Sequence, residues 1–191
     1  MPKKILLTGT PGAGKSTILA LYNKKNKSVS ITNLGTVMMK AAKEEHKNVK
    51  SRDRLRYMSD SDIIEVREKA LSMIMSDRKN SIIDTHSSVK QGRRYVPGFS
   101  MRELGKLEID AIIYVDASSD DIIRRRMLDS SRKREIEGPL EIDEQRSINL
   151  AIISTIALHL NIPIYILYNR EGTAKEAAQQ VKEIAKEVFG E

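Results

Sequence analysis

The stretch Gly9-Thr10-Pro11-Gly12-Ala13-Gly14-Lys15-Ser16-Thr17 matches the pattern G-x-x-x-x-G-K-[ST] without a gap. The residues before it, Lys3–Thr8, predict a short buried strand, and Ser16–Leu21 predict the start of a helix. This strand–loop–helix setting is the one in which the pattern forms a phosphate-binding loop. A glycine-rich turn with an incidental lysine is the alternative, and the flanking segments disfavour it.

The residue types of this loop explain how it binds a triphosphate. The glycines at 9, 12 and 14 permit positive φ and leave no Cβ between the backbone and a ligand. Backbone N–H groups can then converge on phosphate oxygens at the positive end of the following helix. We expect Lys15 to reach the β- and γ-phosphates and the Ser16 hydroxyl to bind Mg²⁺. Thr17 is expected to support the start of the helix.

Length and composition indicate one ordinary globular domain. The chain has 191 residues, of which 40% are hydrophobic and 31% are charged. It has no cysteine, which excludes disulfides, thiolate catalysis and cysteine-bound metals. No apolar run approaches the roughly 20 residues of a membrane helix, and the apolar run after Lys4 is too short for a signal peptide. We predict a cytoplasmic protein without a membrane partner.

The net charge of +7 has two interpretations. It could indicate a nucleic-acid-binding protein, or an enzyme whose substrates carry several phosphates. The chain has two Phe, six Tyr and no Trp, so it offers few aromatic platforms for single strands. Phosphorylated small molecules are therefore favoured over nucleic acid.

Strand and helix signals alternate along the chain, which predicts a parallel sheet covered by helices on both faces. We predict five strands, at Lys3–Thr8, Ser28–Thr32, Ser81–Asp84, Ala111–Asp116 and Pro163–Leu167. Helical segments are predicted from Ser16, over Val37–Ala42, Asp53–Met58 and Ser61–Met75, after an N-cap at Ser118, and over Asp143–Leu160 and Thr173–Val188. Gly92, Pro97 and Gly98 predict a loop, and Ser130–Leu140 a polar interruption. Ligands of such sheets bind at the carboxyl ends of the strands.

Two carboxylates end predicted strands and compete for one role. Asp84 is the preferred magnesium-shell carboxylate, and Asp116 is its rival. His86, two residues after Asp84, could carry a proton or could orient a neighbouring group. Phosphoryl transfer depends more on positioning than on a strong base, so the orienting role has at least equal weight.

Arginines cluster in three places: Arg52, Arg54 and Arg56; Arg124 to Arg126; and Arg132 to Arg134 around Lys133. Guanidinium groups match the oxygens of a transferring phosphoryl group, although most runs of charge are simply solvated. We interpret Arg125, Arg132 and Arg134 as functional, and Arg124 and Arg126 as a solvated helix face.

The chain resembles the archaeal-type adenylate kinases, in order over nearly its whole length. The resemblance is carried by the phosphate loop and by the segments Val49–Asp53, Ile83–His86, Tyr95–Gly98 and Asp129–Arg134. It implies a three-layer α/β/α P-loop fold of the nucleoside monophosphate kinase type and a reaction of Mg-ATP with AMP that gives two ADP. It also implies one domain over residues 1–191 with an AMP-side helical insert at about 35–79, a short lid at about 128–141, and frequent assembly as a homotrimer.

The same resemblance implies roles for individual positions. The phosphate loop would hold the ATP phosphates, and Asp84 would lie near magnesium. Asn169 and Gly172 would border the adenine pocket through main-chain contacts. Arg125 would lie against the adenine, and Arg132 and Arg134 would close over the phosphates. The AMP side would comprise Gly35, Thr36, Arg52, His86 and the position of Lys90.

Lys90 departs from the resemblance, which implies an arginine there. Lysine cannot make the bidentate contact of a guanidinium with the AMP phosphate; Arg93 or Arg94 is a candidate substitute. Two alternatives to an adenylate kinase stay open at this point. One is another nucleoside monophosphate or small-molecule kinase, and the other is a P-loop ATPase that acts as an RNA-associated assembly factor.

Overall fold

A computed structural model describes residues 1–45, 49, 52–129 and 137–190. Its central element is a parallel sheet with the order β2-β3-β1-β6-β7, and a separate antiparallel hairpin pairs β4 with β5. The strands are β1 (Lys4–Gly9), β2 (Ser30–Asn33), β3 (Ser81–Asp84), β4 (Ser88–Gln91), β5 (Arg94–Pro97), β6 (Ala111–Asp116) and β7 (Ile164–Tyr168).

The sheet is apolar on both faces because helices cover both. Along β1, Ile5 and Leu7 belong to the core on one face, and Leu6 belongs to the core on the other. All six residues of β1 and all six of β6 are buried, as expected of central parallel strands.

Seven α-helices and a short 3₁₀ helix surround the sheet in the described part of the chain. They are α1 (Lys15–Lys25), α2 (Leu34–Glu44), the 3₁₀ helix (Arg52–Tyr57), α3 (Asp60–Met75), α4 (Met101–Leu107), α5 (Ser119–Leu128), α6 (Pro139–Leu160) and α7 (Ala174–Phe189). Helices α1, α5 and α7 pack on one face, α2, α3 and α4 pack on the other, and α6 contributes to both cores. The predicted three-layer fold with five parallel strands is confirmed.

The residues at the helix ends explain several boundaries. Ser118 caps α5 by accepting a hydrogen bond from the Asp121 N–H, as predicted. Helix α6 begins at Pro139, four residues before its predicted start at Asp143, because proline suits the first helical turn. The predicted polar segment, Ser130–Leu140, therefore extends two residues too far, because Pro139 and Leu140 are helical. Residues 130–136 of that segment lie outside the described residues.

The segment between β3 and β6 was predicted as a loop, and this is wrong in two places. Residues 88–97 form the β4–β5 hairpin, and Met101–Leu107 form α4, whose Ser100 and Glu103 make a reciprocal capping box. Gly98 folds the hairpin back, since its N–H donates to the Ser87 carbonyl over 2.9 Å. A Cβ on Gly98 would lie 1.9 Å from the His86 carbonyl oxygen, so only glycine fits.

In the described part of the chain, no helix is both long and apolar enough to cross a membrane. The predicted cytoplasmic location is not tested by this finding and stays a prediction.

Candidate functional site

The phosphate loop joins the carboxyl end of β1 to the first turn of α1. Gly9 is essential to its start, because a Cβ there would lie 2.0 Å from the Val115 carbonyl oxygen of the neighbouring strand. Gly14 caps α1 in the left-handed conformation, with φ of 94°, and no side chain caps the first helical turn. Its N–H groups are thus not taken by a capping side chain, and an anion can bind them.

Lys15 lies at the junction of the loop and the segment after β3. Its side chain is buried, its Nζ donates to the Gly9 carbonyl over 3.4 Å, and it lies 3.5 Å from Nδ1 of His86. Ser16 and Thr17 are exposed in the first turn of α1, where a ligand can reach their hydroxyls. This arrangement brings His86 against the loop, which favours the orienting role over that of a proton carrier.

Two carbonyls of the loop are held by side chains from other elements. Arg126 of α5 donates twice to the Pro11 carbonyl, from Nε over 2.9 Å and from Nη2 over 2.7 Å. The Ala13 carbonyl accepts from Asn169 Nδ2 over 2.7 Å and from Arg125 Nη1 over 3.3 Å. These bonds fix the orientation of two peptide units of the loop.

The resemblance placed the main chain of Asn169 at the adenine. Its N–H and carbonyl both form hydrogen bonds within the protein. Its N–H donates to the Asp116 carbonyl over 2.8 Å, and its own carbonyl accepts from Arg125 Nη2 over 3.0 Å. Gly172, three residues on, is exposed with φ of 77° and has no other group within 4 Å of where a Cβ would lie. Contact of these two residues with adenine stays a prediction.

The two rival carboxylates have different partners. Asp116 is buried and forms an ion pair with Arg146 of α6, whose Nε lies 2.8 Å from its Oδ2, and its Oδ1 accepts from the Ala117 N–H. Asp84 is also buried, but its partner is neutral: Asn33 Nδ2 donates to its Oδ2 over 2.7 Å. Asp116 is neutralised by a guanidinium, so Asp84 is the better candidate for a cation.

The residues at this site suit magnesium better than a metal that needs several side-chain ligands. Among the described residues, no group of three or more His, Asp or Glu could hold a metal ion. Mg²⁺ keeps several waters and takes one or two protein oxygens together with substrate phosphates. The Asp84 carboxylate and the Ser16 hydroxyl match that requirement.

The predicted acceptor side is only partly described. Gly35 and Thr36 lie in the first turn of α2, where the Thr36 N–H and hydroxyl both donate to Asn33 Oδ1. Arg52 begins the 3₁₀ helix, but its side chain is not among those described. Arg93 and Arg94, the candidate substitutes for an arginine at position 90, are exposed, and Arg94 donates to Gln91.

Lys90 lies on β4 and is paired with Glu137. Its Nζ is 2.9 Å from Glu137 Oε1 and 5.9 Å from the centre of the Tyr95 ring. The hydrogen bond that Lys90 donates to Glu137 raises the pKa of Lys90, so the ammonium group is charged at neutral pH. The second oxygen of Glu137, Oε2, forms an ion pair with Arg126. Burial raises the pKa of Glu137, but the bonds from Lys90 and Arg126 outweigh it and lower the pKa.

Buried hydroxyls connect the loop with its neighbours. Thr10 Oγ1 and Tyr114 OH are 2.9 Å apart, and Thr8 Oγ1 and Ser87 Oγ are 2.8 Å apart. Burial raises the pKa of Tyr114, which therefore stays protonated and able to donate. Ser88 at the start of β4 donates to Asn149 Oδ1 of α6 over 2.6 Å.

The arginine clusters did not all behave as predicted. Arg132 and Arg134 lie outside the described residues. Arg124 is exposed and pairs with Asp121, as expected of a solvated residue. Arg126 was predicted to be solvated, and this is wrong: its side chain is 9% exposed and contacts the loop. The helical phase could have shown it, since Arg125 and Arg126 follow the buried Ile122 by three and four residues.

Comparison with known proteins agrees with this site. Residues 8–143 match the protein family described as the AAA domain. An adenylate kinase of Methanocaldococcus jannaschii is 32% identical over 190 residues, covering 96% of this chain and 98% of the relative. The chain belongs to the archaeal-type adenylate kinase family. An adenylate kinase of Methanoculleus marisnigri is 33% identical over 173 residues, covering 87% and 90% of the two chains.

Solved structures of other kinases share the fold. A shikimate kinase of Bacteroides thetaiotaomicron is 18% identical with a TM-score of 0.56, covering 96% of this chain and 98% of its own. That of Acinetobacter baumannii, solved with shikimate, has a TM-score of 0.55 at 14% identity, covering 96% and 93%. These likenesses concern the fold alone. Membership of the adenylate kinase family makes the protein a phosphotransferase with a nucleotide-binding P-loop.

Proposed function

We propose that the protein catalyses the reversible transfer of a phosphoryl group from Mg-ATP to AMP, giving two ADP. The observation that carries this proposal is the position of Lys15, between the Gly9 carbonyl and His86. The lysine thereby joins the loop proposed to bind the donor to the segment that leads into the proposed acceptor hairpin. The relatives named adenylate kinase support AMP as the acceptor.

In the proposed reaction, an oxygen of the AMP phosphate attacks the γ-phosphorus of ATP. A new P–O bond forms as the bond from the γ-phosphorus to the β,γ-bridging oxygen breaks, and the electron pair stays on the β-phosphate of ADP. The loop N–H groups and Lys15 would hold the β- and γ-phosphates in line. Arg132 and Arg134 stay predicted contacts of the moving group, and Arg125 a predicted contact of the adenine.

Mg²⁺ would be held by Ser16 and Asp84. The hydrogen bond that Asp84 accepts from the neutral amide of Asn33 supports this assignment, since Asp116 pairs with a guanidinium instead. When bound, the ion would neutralise the charge that develops on the β- and γ-phosphate oxygens. Asn33 would orient Asp84 by its 2.7 Å hydrogen bond to one carboxylate oxygen. The AMP-side residues would be Gly35, Thr36, Arg52, His86 and Lys90, whose ammonium would act as a point charge.

The test is incubation of the protein with Mg-ATP and, separately, AMP, CMP, UMP or GMP, followed by chromatography of the products. We expect ADP from AMP, with slower or no product from the other three. A preference for CMP or UMP would correct the acceptor, and no transfer to any of them would refute the proposal.

A matched variant links the activity to this site. Lys15→Met keeps most of the length and the unbranched apolar stem of the side chain, so the fold should survive. It should lower kcat by about 10²–10⁴, because Lys15 would contact the charge that develops in the transition state. Near-normal turnover with an unchanged circular dichroism spectrum would contradict the assigned role.

Assembly as a homotrimer is proposed from the family resemblance alone. Light scattering during size-exclusion chromatography tests it, with three times the mass of one chain as the expected result.

A further inference from the structure

We propose that Glu137 is a positioning residue that serves the donor and acceptor sites together, by holding Arg126 under the phosphate loop and Lys90 on the acceptor hairpin. The inference deepens the proposed function and rests on it for the acceptor half. Its basis is the geometry of one half-buried carboxylate between two cations from different elements.

The donor half follows from the way Arg126 holds the loop. Both of its hydrogen bonds end on the Pro11 carbonyl oxygen. The peptide bond between Pro11 and Gly12 is trans, so its carbonyl and its N–H point in opposite directions. Fixing the carbonyl on the guanidinium thereby turns the Gly12 N–H to the other side, where the phosphates are proposed to lie.

Packing reinforces this orientation. A Cβ on Gly12 would lie 3.2 Å from both Cγ and Nε of Arg126 and 3.1 Å from Cγ2 of Ile122. The loop therefore rests directly on α5, and a displaced Arg126 would release it. Arg126 itself needs an anchor, because a neutral carbonyl does not compensate the positive charge of a side chain that is only 9% exposed. Glu137 supplies that anchor as a half-buried counter-charge.

The acceptor half follows from Lys90. A lysine side chain has four rotatable bonds, so a lysine that is to meet a phosphate must be held in place. Glu137 Oε1 accepts only one of the three ammonium N–H groups of Lys90, over 2.9 Å. Within the described part of the chain, the ammonium has no other hydrogen-bond acceptor, so two of its donors are available for a phosphate. The ion pair fixes its position relative to α6 and α5.

The summed charge of Glu137, Arg126 and Lys90 indicates that Glu137 positions the two cations and does not compete with a nucleotide for them. Arg126 and Lys90 contribute two positive charges, and Glu137 contributes one negative charge, so the cluster keeps a net charge of +1 toward an anion. The side chain of Glu137 is 12% exposed, and each of its oxygens is assigned to a different cation. Two flexible cations thus share one fixed partner, and loss of that partner should disorder both.

The test compares four variants by steady-state kinetics with ATP and AMP varied separately. Glu137→Gln should raise KM for both nucleotides about five- to tenfold, the equivalent of one charge-assisted hydrogen bond, with a smaller change in kcat. Arg126→Gln should raise KM for ATP alone, and Lys90→Met should raise KM for AMP alone. A general loss of stability would not change the two KM values separately in this way. Thermal unfolding of each variant measures its stability.

The matched control is Glu183→Gln. Glu183 lies in α7, is exposed and accepts from Gln179, and its replacement changes the net charge by the same amount. We expect both KM values of this variant to stay within about twofold of the parent. A Glu137→Gln variant that leaves either KM within the same limits would overturn the proposal. So would a fall in KM, which would make Glu137 a competitor of the nucleotides.

Direct binding separates failure of this proposal from failure of the proposed function. Calorimetric titration with ATP and with AMP measures both affinities even if the parent transfers no phosphoryl group. Weaker binding of both nucleotides to Glu137→Gln would then support the positioning role although the reaction proposed above had failed. Unchanged affinity for either nucleotide would overturn it.

Discussion

At the scale of single residues, the site depends on residues whose close contacts constrain which side chain can stand there. Gly9 and Gly98 each lie so close to a neighbouring carbonyl that a methyl group would overlap it. Glu137 has a different constraint, since it is a half-buried carboxylate with two cationic partners. Removing one member of such a cluster leaves the charges of the others without full compensation, which is destabilising.

Gly98→Ala should destabilise the protein by more than about 2 kcal/mol, because the new methyl group would lie 1.9 Å from the His86 carbonyl oxygen. Gly105→Ala is the control. Gly105 lies in α4 with no group within 4 Å of its added Cβ, so alanine should stabilise by about 0.5–1 kcal/mol. Urea unfolding of both variants measures the difference. Equal free energies of unfolding would contradict the close contact at Gly98.

Glu137 should make stability depend on pH in the acid range. Its pKa is lowered on folding, so its contribution is present above the unfolded-state pKa and is lost as the pH falls through the folded-state pKa. The difference in unfolding free energy between the parent and Glu137→Gln should be constant from pH 7 to about 5 and shrink below about pH 4. Urea unfolding at a series of pH values measures it. A difference independent of pH would contradict the lowered pKa.

At the scale of elements, the phosphate loop is connected to three others by buried polar bonds. Tyr114 of β6 bonds to Thr10, Arg126 of α5 to Pro11, and Asn169 after β7 to Ala13. The bonds to Tyr114 and Arg126 fix the loop to a strand and a helix that are themselves packed in the core, and the bond to Asn169 fixes it to the residue that follows β7. The loop is thereby preorganised, which reduces the conformational entropy that a bound triphosphate must remove.

Tyr114→Phe tests this preorganisation. The ring stays, but the hydroxyl that bonds to Thr10 is lost, so we expect a destabilisation of about 1–2 kcal/mol and a higher KM for ATP. Tyr165→Phe is the matched control, because the Tyr165 hydroxyl bonds to Glu187 at the surface and should contribute at most about 0.5 kcal/mol. Thermal unfolding and ATP kinetics are the measurements. Identical behaviour of the two variants would argue against a role for the Thr10 bond.

At the scale of the whole molecule, the parallel sheet collects the candidate groups on one edge. Asn33, Asp84, the phosphate loop, Asp116 and Asn169 follow or end β2, β3, β1, β6 and β7 in the order of the sheet. The net charge of +7 adds a favourable background for anionic nucleotides. The same charge would also attract other polyanions, which makes selectivity a property that can be measured.

We predict that the protein does not retain single-stranded RNA in a filter-binding titration, even at about 50 mM salt. The physical reason is the shortage of aromatic side chains on which bases could stack, with eight Phe and Tyr in all and no Trp. Retention that falls steeply with salt would contradict this prediction and would revive the RNA-associated ATPase as an alternative. A basic protein of similar charge that binds RNA is the positive control.

The fold was predictable because its strands are short apolar runs that end in polar residues. The strand at Ser81–Asp84 and that at Ala111–Asp116 have the predicted bounds. The β4–β5 hairpin was missed because its residues are mostly half-exposed and its glycine and proline suggested a loop. Period-2 burial, the usual strand signal, is absent from such a small hairpin.

The candidate site was predictable where a motif fixes its spacing. The phosphate loop and Asp84 could be located from local sequence alone. Asn33 and Glu137 could not, because their importance comes from contacts with residues 51 and 47 positions away along the chain. The helical phase indicates that Arg126 faces the core, but its partner Pro11 lies 115 positions away. Only a fold brings such residues together.

The bond between Asn33 and Asp84 has a mechanical consequence. Asn33 ends β2 and caps α2 through its amide oxygen, and its amide nitrogen holds the carboxylate proposed for magnesium. If helix α2 moves away from the sheet as a rigid body, it must either break that bond or rotate about Asn33. We expect a pivot, so that displacement is near zero at the first turn of α2 and grows toward Glu44. Such an opening would admit a nucleotide while the carboxylate proposed for magnesium keeps its position.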